Sequence, residues 1–251
     1  MEMLERIKES VAELFFPRRC PLCGSLINSN ERICNKCSKD VEFIRRPICR
    51  FCGRPLYSCN CQRGEFAFVR NVAPLVYTKS AKKGIHRMKF NNSPYSCTYF
   101  GKLMANVVRT EYLDSGVHFD CVIGVPMFKD DYLTRGYNQA VLLAKTVAEE
   151  TEIPLFNKVL IKYQKNRPQH TLSFMERKRN IEGVYRVARP EMIRGKTVLL
   201  CDDVTTSGST LNECAITLLD AGAKAVYCVT ATVAVLSEMP AIKAAAFRTG
   251  W

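Results

Sequence analysis

Two adjacent carboxylates, Asp202 and Asp203, stand directly ahead of a run of hydroxyls around one glycine: Thr205, Thr206, Ser207, Gly208, Ser209 and Thr210. Small hydroxyl residues at a helix start offer backbone N–H groups, hydroxyl donors and the positive end of the helix dipole. All three suit a phosphate. The carboxylates repel a phosphate, but they accept hydrogen bonds from the vicinal hydroxyls of a sugar, or hold a metal ion through water. A diol acceptor beside a phosphate cradle describes a site for ribose 5-phosphate. An acidic, hydroxyl-rich turn without a ligand has the same composition, but the order of the parts here argues against it.

Such a site needs elements that deliver its two halves to one place. Thr197-Val198-Leu199-Leu200-Cys201 is an apolar, β-branched run, the pattern of a strand buried on both faces. Beyond the hydroxyls, Leu211, Ala215, Leu218 and Leu219 share a helical face, and Gly222 stops the period. Thr210 with Glu213 reads as a capping box for that helix. Acids and hydroxyls therefore occupy a strand–loop–helix turn at the carboxyl end of a strand, where open α/β sheets bind ligands. Upstream, 66–70 and 72–78 alternate apolar and polar residues, which predicts an antiparallel hairpin. Stretches 82–90, 99–113 and 140–150 carry a helical period, the last with Asn138 as its cap. Stretches 121–126, 159–163, 185–187 and 226–235 read as strands. The alternation predicts an α/β fold with a mainly parallel sheet flanked by helices.

The run Cys201-Asp202-Asp203-Val204-Thr205-Thr206-Ser207-Gly208-Ser209-Thr210 resembles the phosphoribosyl-pyrophosphate (PRPP) motif of type I phosphoribosyltransferases. The resemblance implies that Asp202 and Asp203 are the catalytic pair holding the ribose 2- and 3-hydroxyls. It implies that Thr205, Thr206, Ser207, Gly208, Ser209 and Thr210 bind the 5-phosphate. The reaction implied is displacement of pyrophosphate from C1 by a nitrogen nucleophile through an oxocarbenium-like transition state. Mg²⁺ would accompany PRPP, bridging pyrophosphate and sugar oxygens. Arg135 and Lys89 are the expected pyrophosphate ligands, together with a basic loop. His86, His118 and His170 lack a visible carboxylate or cysteine partner and read as surface positions.

Eight of the thirteen cysteines fall between Cys20 and Cys61. Cys20/Cys23 and Cys34/Cys37 are two Cys-x-x-Cys knuckles; Cys49/Cys52 is a third, and Cys59/Cys61 a compressed fourth. Two knuckles complete one tetrahedral thiolate shell, so the spacing points to two structural Zn²⁺ ions. Ligands are expected to pair in sequence, with a cross-braced pairing as the alternative. Cys23-Gly24 and Cys52-Gly53 repeat the same tight turn, which makes the region an internal duplication. Cys121, Cys201 and Cys228 lie in expected strands and read as small core residues. Metal should give this head its own stability, so that replacing Cys20 unfolds residues 1–65 and spares an α/β domain over 66–251.

Further signatures extend the resemblance along the chain. Val125-Pro126, Arg135-Gly136-Tyr137-Asn138-Gln139-Ala140, His86-Arg87-Met88-Lys89-Phe90, Gln169 to Ser173 and Glu176 to Asn180 are similar to the ComF family of competence-associated proteins. The cysteine-rich head is similar too. Lys129, Asp130 and Asp131 stand where that family carries a second arginine. The family joins a zinc-ribbon head to a phosphoribosyltransferase fold, and some members act in natural transformation. The resemblance thus implies single-stranded DNA and DNA-processing proteins as partners beside PRPP.

Charge agrees with polyanionic partners. The 251 residues carry 37 Lys+Arg against 24 Asp+Glu, a formal +13. The stretch 158–196 alone holds eleven Lys/Arg and three Glu, and Arg177, Lys178 and Arg179 suit a loop that closes over sugar and pyrophosphate. A small-molecule phosphoribosyltransferase without DNA binding is the alternative. No apolar run is long enough to span a bilayer. The first sixteen residues carry four Glu and lack a signal-peptide core, so a cytoplasmic location without membrane insertion is expected. Leu4, Ile7, Val11, Leu14 and Phe15 fall on one face of a helix there, read as a docking surface.

Overall fold

The computed structural model describes residues 17–28, 30–62, 64–90, 94–164 and 183–235. The N-terminal amphipathic helix and the cluster Arg177 to Arg179, with His170, lie outside the described residues. Six helices are present among these: α1 (Asn35–Asp40), α2 (Lys79–Phe90), α3 (Pro94–Glu111), α4 (Lys129–Arg135), α5 (Gln139–Thr151) and α6 (Ser209–Asp220). The strands are β1 (Asn71–Val72), β2 (Leu75–Val76), β3 (Cys121–Gly124), β4 (Leu160–Lys162), β5 (Tyr185–Val187), β6 (Thr197–Thr205) and β7 (Ala225–Val233).

The main sheet is parallel throughout. Strand β7 lies between β6 and the β1–β2 edge, and β6 pairs with β3 on its other side. The expected hairpin over 66–78 does not form. Instead β1 and β2 both pair with β7, in one continuous register: Asn71 opposite Cys228, Val72 opposite Val229, Leu75 opposite Thr232 and Val76 opposite Val233. They are one edge strand interrupted at Ala73-Pro74, where proline has no N–H to donate to the ladder. The long apolar β7 offers a better partner than a two-residue neighbour could.

Period-2 alternation along the central strands feeds two cores. Leu199, Cys201, Val229 and Ala231 face α2, α3 and α5, packing with Ile85, Met88, Phe100, Met104 and Leu143. Val198, Leu200, Val226 and Cys228 face the other way, toward α6 and the β4–β5 pair, packing with Leu211, Cys214, Leu218 and Tyr185. Cys121, Cys201 and Cys228 are fully buried, as expected of small core residues. Strands β4 and β5 form a separate antiparallel pair. Asn138 caps α5 as expected: its Oδ1 accepts from the Ala140 N–H at 2.9 Å and the Val141 N–H at 3.4 Å.

The cysteine-rich head shares the first of these cores. Cys20, Leu22 and Cys37 are buried with Ile85, Met88 and Phe100. Ser96 donates to the Pro21 carbonyl at 2.8 Å. Gly84 on α2 lets Leu22 come close: a Cβ there would lie 2.9 Å from the leucine side chain and 2.8 Å from Phe100. No helix among the described residues is long and apolar enough to cross a membrane.

Candidate functional site

Asp202 and Asp203 lie in the last turns of β6, within the strand rather than past it. Alternation sends adjacent side chains to opposite faces. Asp203 continues the Leu199–Cys201 face and meets α2, where its Oδ2 pairs with Lys89 Nζ at 2.8 Å. Asp202 continues the Val198–Leu200 face, where Lys162 of β4 exerts an attraction on it. Its Oδ1 accepts the Asp203 N–H at 2.8 Å. Both carboxylates are buried, at 9% and 5% exposure.

Burial pushes Asp202 up to about 7, reinforced by the neighbouring Asp203 charge; the Asp203 N–H, Lys89 and Lys162 pull the other way. For Lys89, burial disfavours the ammonium, but the Asp203 carboxylate outweighs it and the net shift is upward. Lys162 is lowered, first by burial, with Asp131 and Asp202 opposing.

Past β6 the chain turns through Thr206 and Ser207 to Gly208, whose φ of 83° is left-handed. Glycine reaches that conformation without a Cβ penalty, and here a Cβ would also press to within 2.8 Å of the Phe66 ring. Helix α6 starts at Ser209, with Gly208 as its N-cap and no side-chain cap. The Thr210–Glu213 capping box is therefore absent: the left-handed glycine begins the helix before Thr210, leaving Thr210 inside the first turn. Glu213 Oε1 instead accepts the Gly183 N–H at 2.6 Å. The Ser209 N–H, first of α6, donates to Ser207 Oγ at 3.4 Å, and a helix start of this kind is suited to an anion. The Ser207 and Ser209 hydroxyls lie 2.8 Å apart across the turn. Thr205 belongs to the strand, and its hydroxyl donates to Thr230 Oγ1 at 3.2 Å.

Arg135 ends α4. Its guanidinium donates to Gln139 Oε1 at 2.7 Å and lies over the Phe90 ring, 5.1 Å from the centroid. The Tyr137 hydroxyl donates to the Met88 carbonyl. The Arg-Gly-Tyr-Asn-Gln segment is thereby fastened to the end of α2 that carries Lys89. Lys129, Asp130 and Asp131 form the start of α4. His86 and His118 are exposed, as expected.

In the head, the sulfurs of Cys20, Cys23, Cys34 and Cys37 converge, and so do those of Cys49, Cys52, Cys59 and Cys61, each set within 4.8 Å. Ligands pair in sequence; the cross-braced alternative does not occur. All thirteen cysteines are free. The sulfur separations of 3.6 Å for Cys23–Cys34 and 3.3–3.5 Å within the second set are close to those of a tetrahedral thiolate shell with Zn–S bonds of about 2.3 Å. Both sets fit a structural zinc ion. The duplication is visible in the backbone. The Gly24 N–H donates to the Cys20 carbonyl and the Gly53 N–H to the Cys49 carbonyl, while Arg19 bridges Leu26 as Ile48 bridges Pro55.

Three further residues belong to the site. Arg54, beside the second cysteine set, reaches the Thr206 carbonyl. Lys162 and Phe66 are the others. Only Lys162 left a signal, as a lone cation in an apolar strand. A surface cavity between Phe43 and Arg46 of the head and Val107 and Glu111 of α3 holds none of the site residues.

Residues 11–67 match the double zinc ribbon domain, and residues 137–244 match the phosphoribosyl transferase domain. Fold and site thus define a type I phosphoribosyltransferase fold carrying a zinc-ribbon head. The chain is similar to competence protein F of Haemophilus influenzae, 29% identical over 207 residues, covering 79% of this chain and 90% of the relative. It is similar to the DNA utilization protein YhgH of Salmonella typhimurium, 29% identical over 220 residues, covering 85% and 96%. It is also similar to competence protein ComFC of Bacillus subtilis, 25% identical over 210 residues, covering 78% and 82%. The chain is thus similar, over most of its length, to proteins named for competence and DNA utilization.

Proposed function

We infer that the protein binds PRPP at the β6–α6 turn and acts in handling single-stranded DNA during uptake. The observation that carries the first half is a buried carboxylate pair one turn away from a glycine-capped helix start. The ribose diol would lie against Asp202 and Asp203, the 5-phosphate on Thr206, Ser207, Gly208, Ser209 and Thr210, and the pyrophosphate toward Lys89 and Arg135. Lys89 already pairs with Asp203 at 2.8 Å, so it orients that carboxylate before the sugar arrives. Bound Mg²⁺ would supply charge neutralisation of the pyrophosphate. The protein's own residues orient the sugar and exclude water from C1. The names of the relatives and the basic composition support the DNA half.

Asp202 gives this reading a pH signature. Its pKa is raised from 3.8 to about 7, so between those values the folded protein holds a proton that the unfolded chain has lost. Stability of the free protein should then fall as pH rises from 4 to 7. PRPP affinity should move the opposite way, because an ionised carboxylate is the better acceptor for two hydroxyls. Below pH 7 affinity should drop by up to about tenfold per pH unit. Calorimetric titration across pH 5.5–8.5 checks this, and a flat profile would mean that Asp202 does not face the sugar.

DNA binding is tested by anisotropy of a labelled oligonucleotide, titrated at several salt concentrations with and without PRPP and Mg²⁺. The expected result is weakly sequence-dependent binding that falls steeply with salt, as counterion release requires. Competition by PRPP would place DNA over the sugar site, and joint binding would place it on the head. No binding at low salt would leave a small-molecule phosphoribosyltransferase. Labelled PRPP with a panel of bases would then identify its acceptor.

A further inference from the structure

Arg54 follows the third cysteine knuckle, two residues after Cys52, and its side chain leaves the head. It is buried, at 6% exposure. Its Nε donates to the Ala234 carbonyl at 2.8 Å, and an Nη donates to the Thr206 carbonyl inside the phosphate turn. Thr206 immediately precedes Ser207, and Ala234 follows β7. The guanidinium therefore clamps together the two strand ends that border the phosphate turn.

Among the described residues, no carboxylate pairs with this guanidinium; both of its hydrogen bonds go to neutral carbonyls. A buried cation without counter-charge is costly, and arginine does not shed its proton. The neighbouring cluster supplies the missing charge. A zinc ion held by four thiolates carries a net −2, and Cys52, two residues before Arg54, supplies one of the four converging sulfurs of the second set. The backbone carries the same connection. The Cys52 carbonyl accepts from Asn71 Nδ2 at 3.2 Å. The Phe51 carbonyl accepts the Asn71 N–H at 2.7 Å. Gly53, at φ 75°, sits so close to β1 that a Cβ would lie 2.6 Å from the Asn71 carbonyl oxygen. The first cysteine set packs instead against α2 and α3.

We propose that Arg54 is a positioning residue whose counter-ion is the second zinc–thiolate cluster, and that through it this zinc sets the main-chain geometry of the phosphate turn. The proposal rests on the turn being the sugar-phosphate site. By linkage, a ligand that fills the turn must strengthen zinc binding at the second cluster by the same factor by which that zinc strengthens ligand binding.

The full chain is loaded with two zinc ions, and their release to a chromophoric chelator is followed with and without ribose 5-phosphate, in the absence of Mg²⁺. Saturating ribose 5-phosphate should slow the loss of one zinc by about tenfold, within the usual range for linked sites, and leave the other unchanged. Arg54→Met should weaken PRPP binding about tenfold by calorimetry and abolish the protection of zinc, with Arg54→Lys intermediate. If the methionine variant does not fold, the wild-type release curves decide alone. A wild-type protein that binds PRPP but releases both zinc ions at ligand-independent rates overturns the proposal. So does an Arg54→Met variant that retains the protection. Failure of the wild type to bind PRPP or ribose 5-phosphate would bring down the site assignment itself.

Discussion

Stripping both zinc ions should unfold the α/β unit together with the head. Read from the sequence, the head should come apart by itself when Cys20 is replaced. The packing leads to a different expectation. Cys20, Leu22 and Cys37 are buried in the same core as Val72, Leu75, Ile85, Met88 and Phe100, so losing the first cluster opens the face of the sheet under α2 and α3. A structural zinc contributes about 10–16 kcal/mol in small metal-dependent folds. The whole stability of a domain is about 5–15 kcal/mol. Two ions are then more than enough to decide whether the native state exists. Elemental analysis should find two zinc per chain, and chelation should abolish a single cooperative thermal transition followed by circular dichroism. Cys37→Ser should act in the same direction. A helical signal that survives chelation with an unmoved midpoint would mean that the two parts fold independently.

Asp203→Asn should weaken PRPP binding by one to two powers of ten. The carboxylate is asked for charge-assisted hydrogen bonds to sugar hydroxyls, each worth about 1.5–3 kcal/mol. It also holds Lys89 at 2.8 Å. The amide removes the charge that orients that ammonium, so affinity for inorganic pyrophosphate should change as well. Calorimetry with PRPP and with pyrophosphate separates the two contributions. Wild-type affinity in the variant would show that the carboxylate is a structural ion-pair partner of α2 and nothing more.

The parts that were legible in the sequence are those whose determinants are local. Cysteine spacing revealed both metal shells because a knuckle closes within four residues. The apolar run before Asp202 announced a strand buried on both faces, and Asn138 announced its helix, since a cap acts on N–H groups two and three residues away. The failures are of the opposite kind. The alternation at 66–78 marked strand character that forms only at Asn71–Val72 and Leu75–Val76, with 66–70 irregular, and it could not name a partner 157 positions away, at Cys228 and Val229. Thr210 and Glu213 have the spacing of a capping box, yet a left-handed Gly208 starts the helix earlier and frees Glu213 for Gly183. Arg54 gave no signal because a cation among cysteines in a basic head looks like solvated surface. Its role depends on Thr206 and Ala234, brought to it by the sheet.

The position of β7 between β6 and the β1–β2 edge also bears on how the chain is made. β7 is the latest of the described strands to leave the ribosome, yet it supplies every main-sheet pairing of the earliest two. During synthesis the head's cysteines emerge long before the strand that covers their neighbours. They can take up metal while β1 and β2 still have unpaired edges. Parallel pairings across such separations close slowly, because the loop entropy is spent before the contacts form. The order of synthesis therefore leaves the β1–β2 edge without its sheet partner until β7 has emerged.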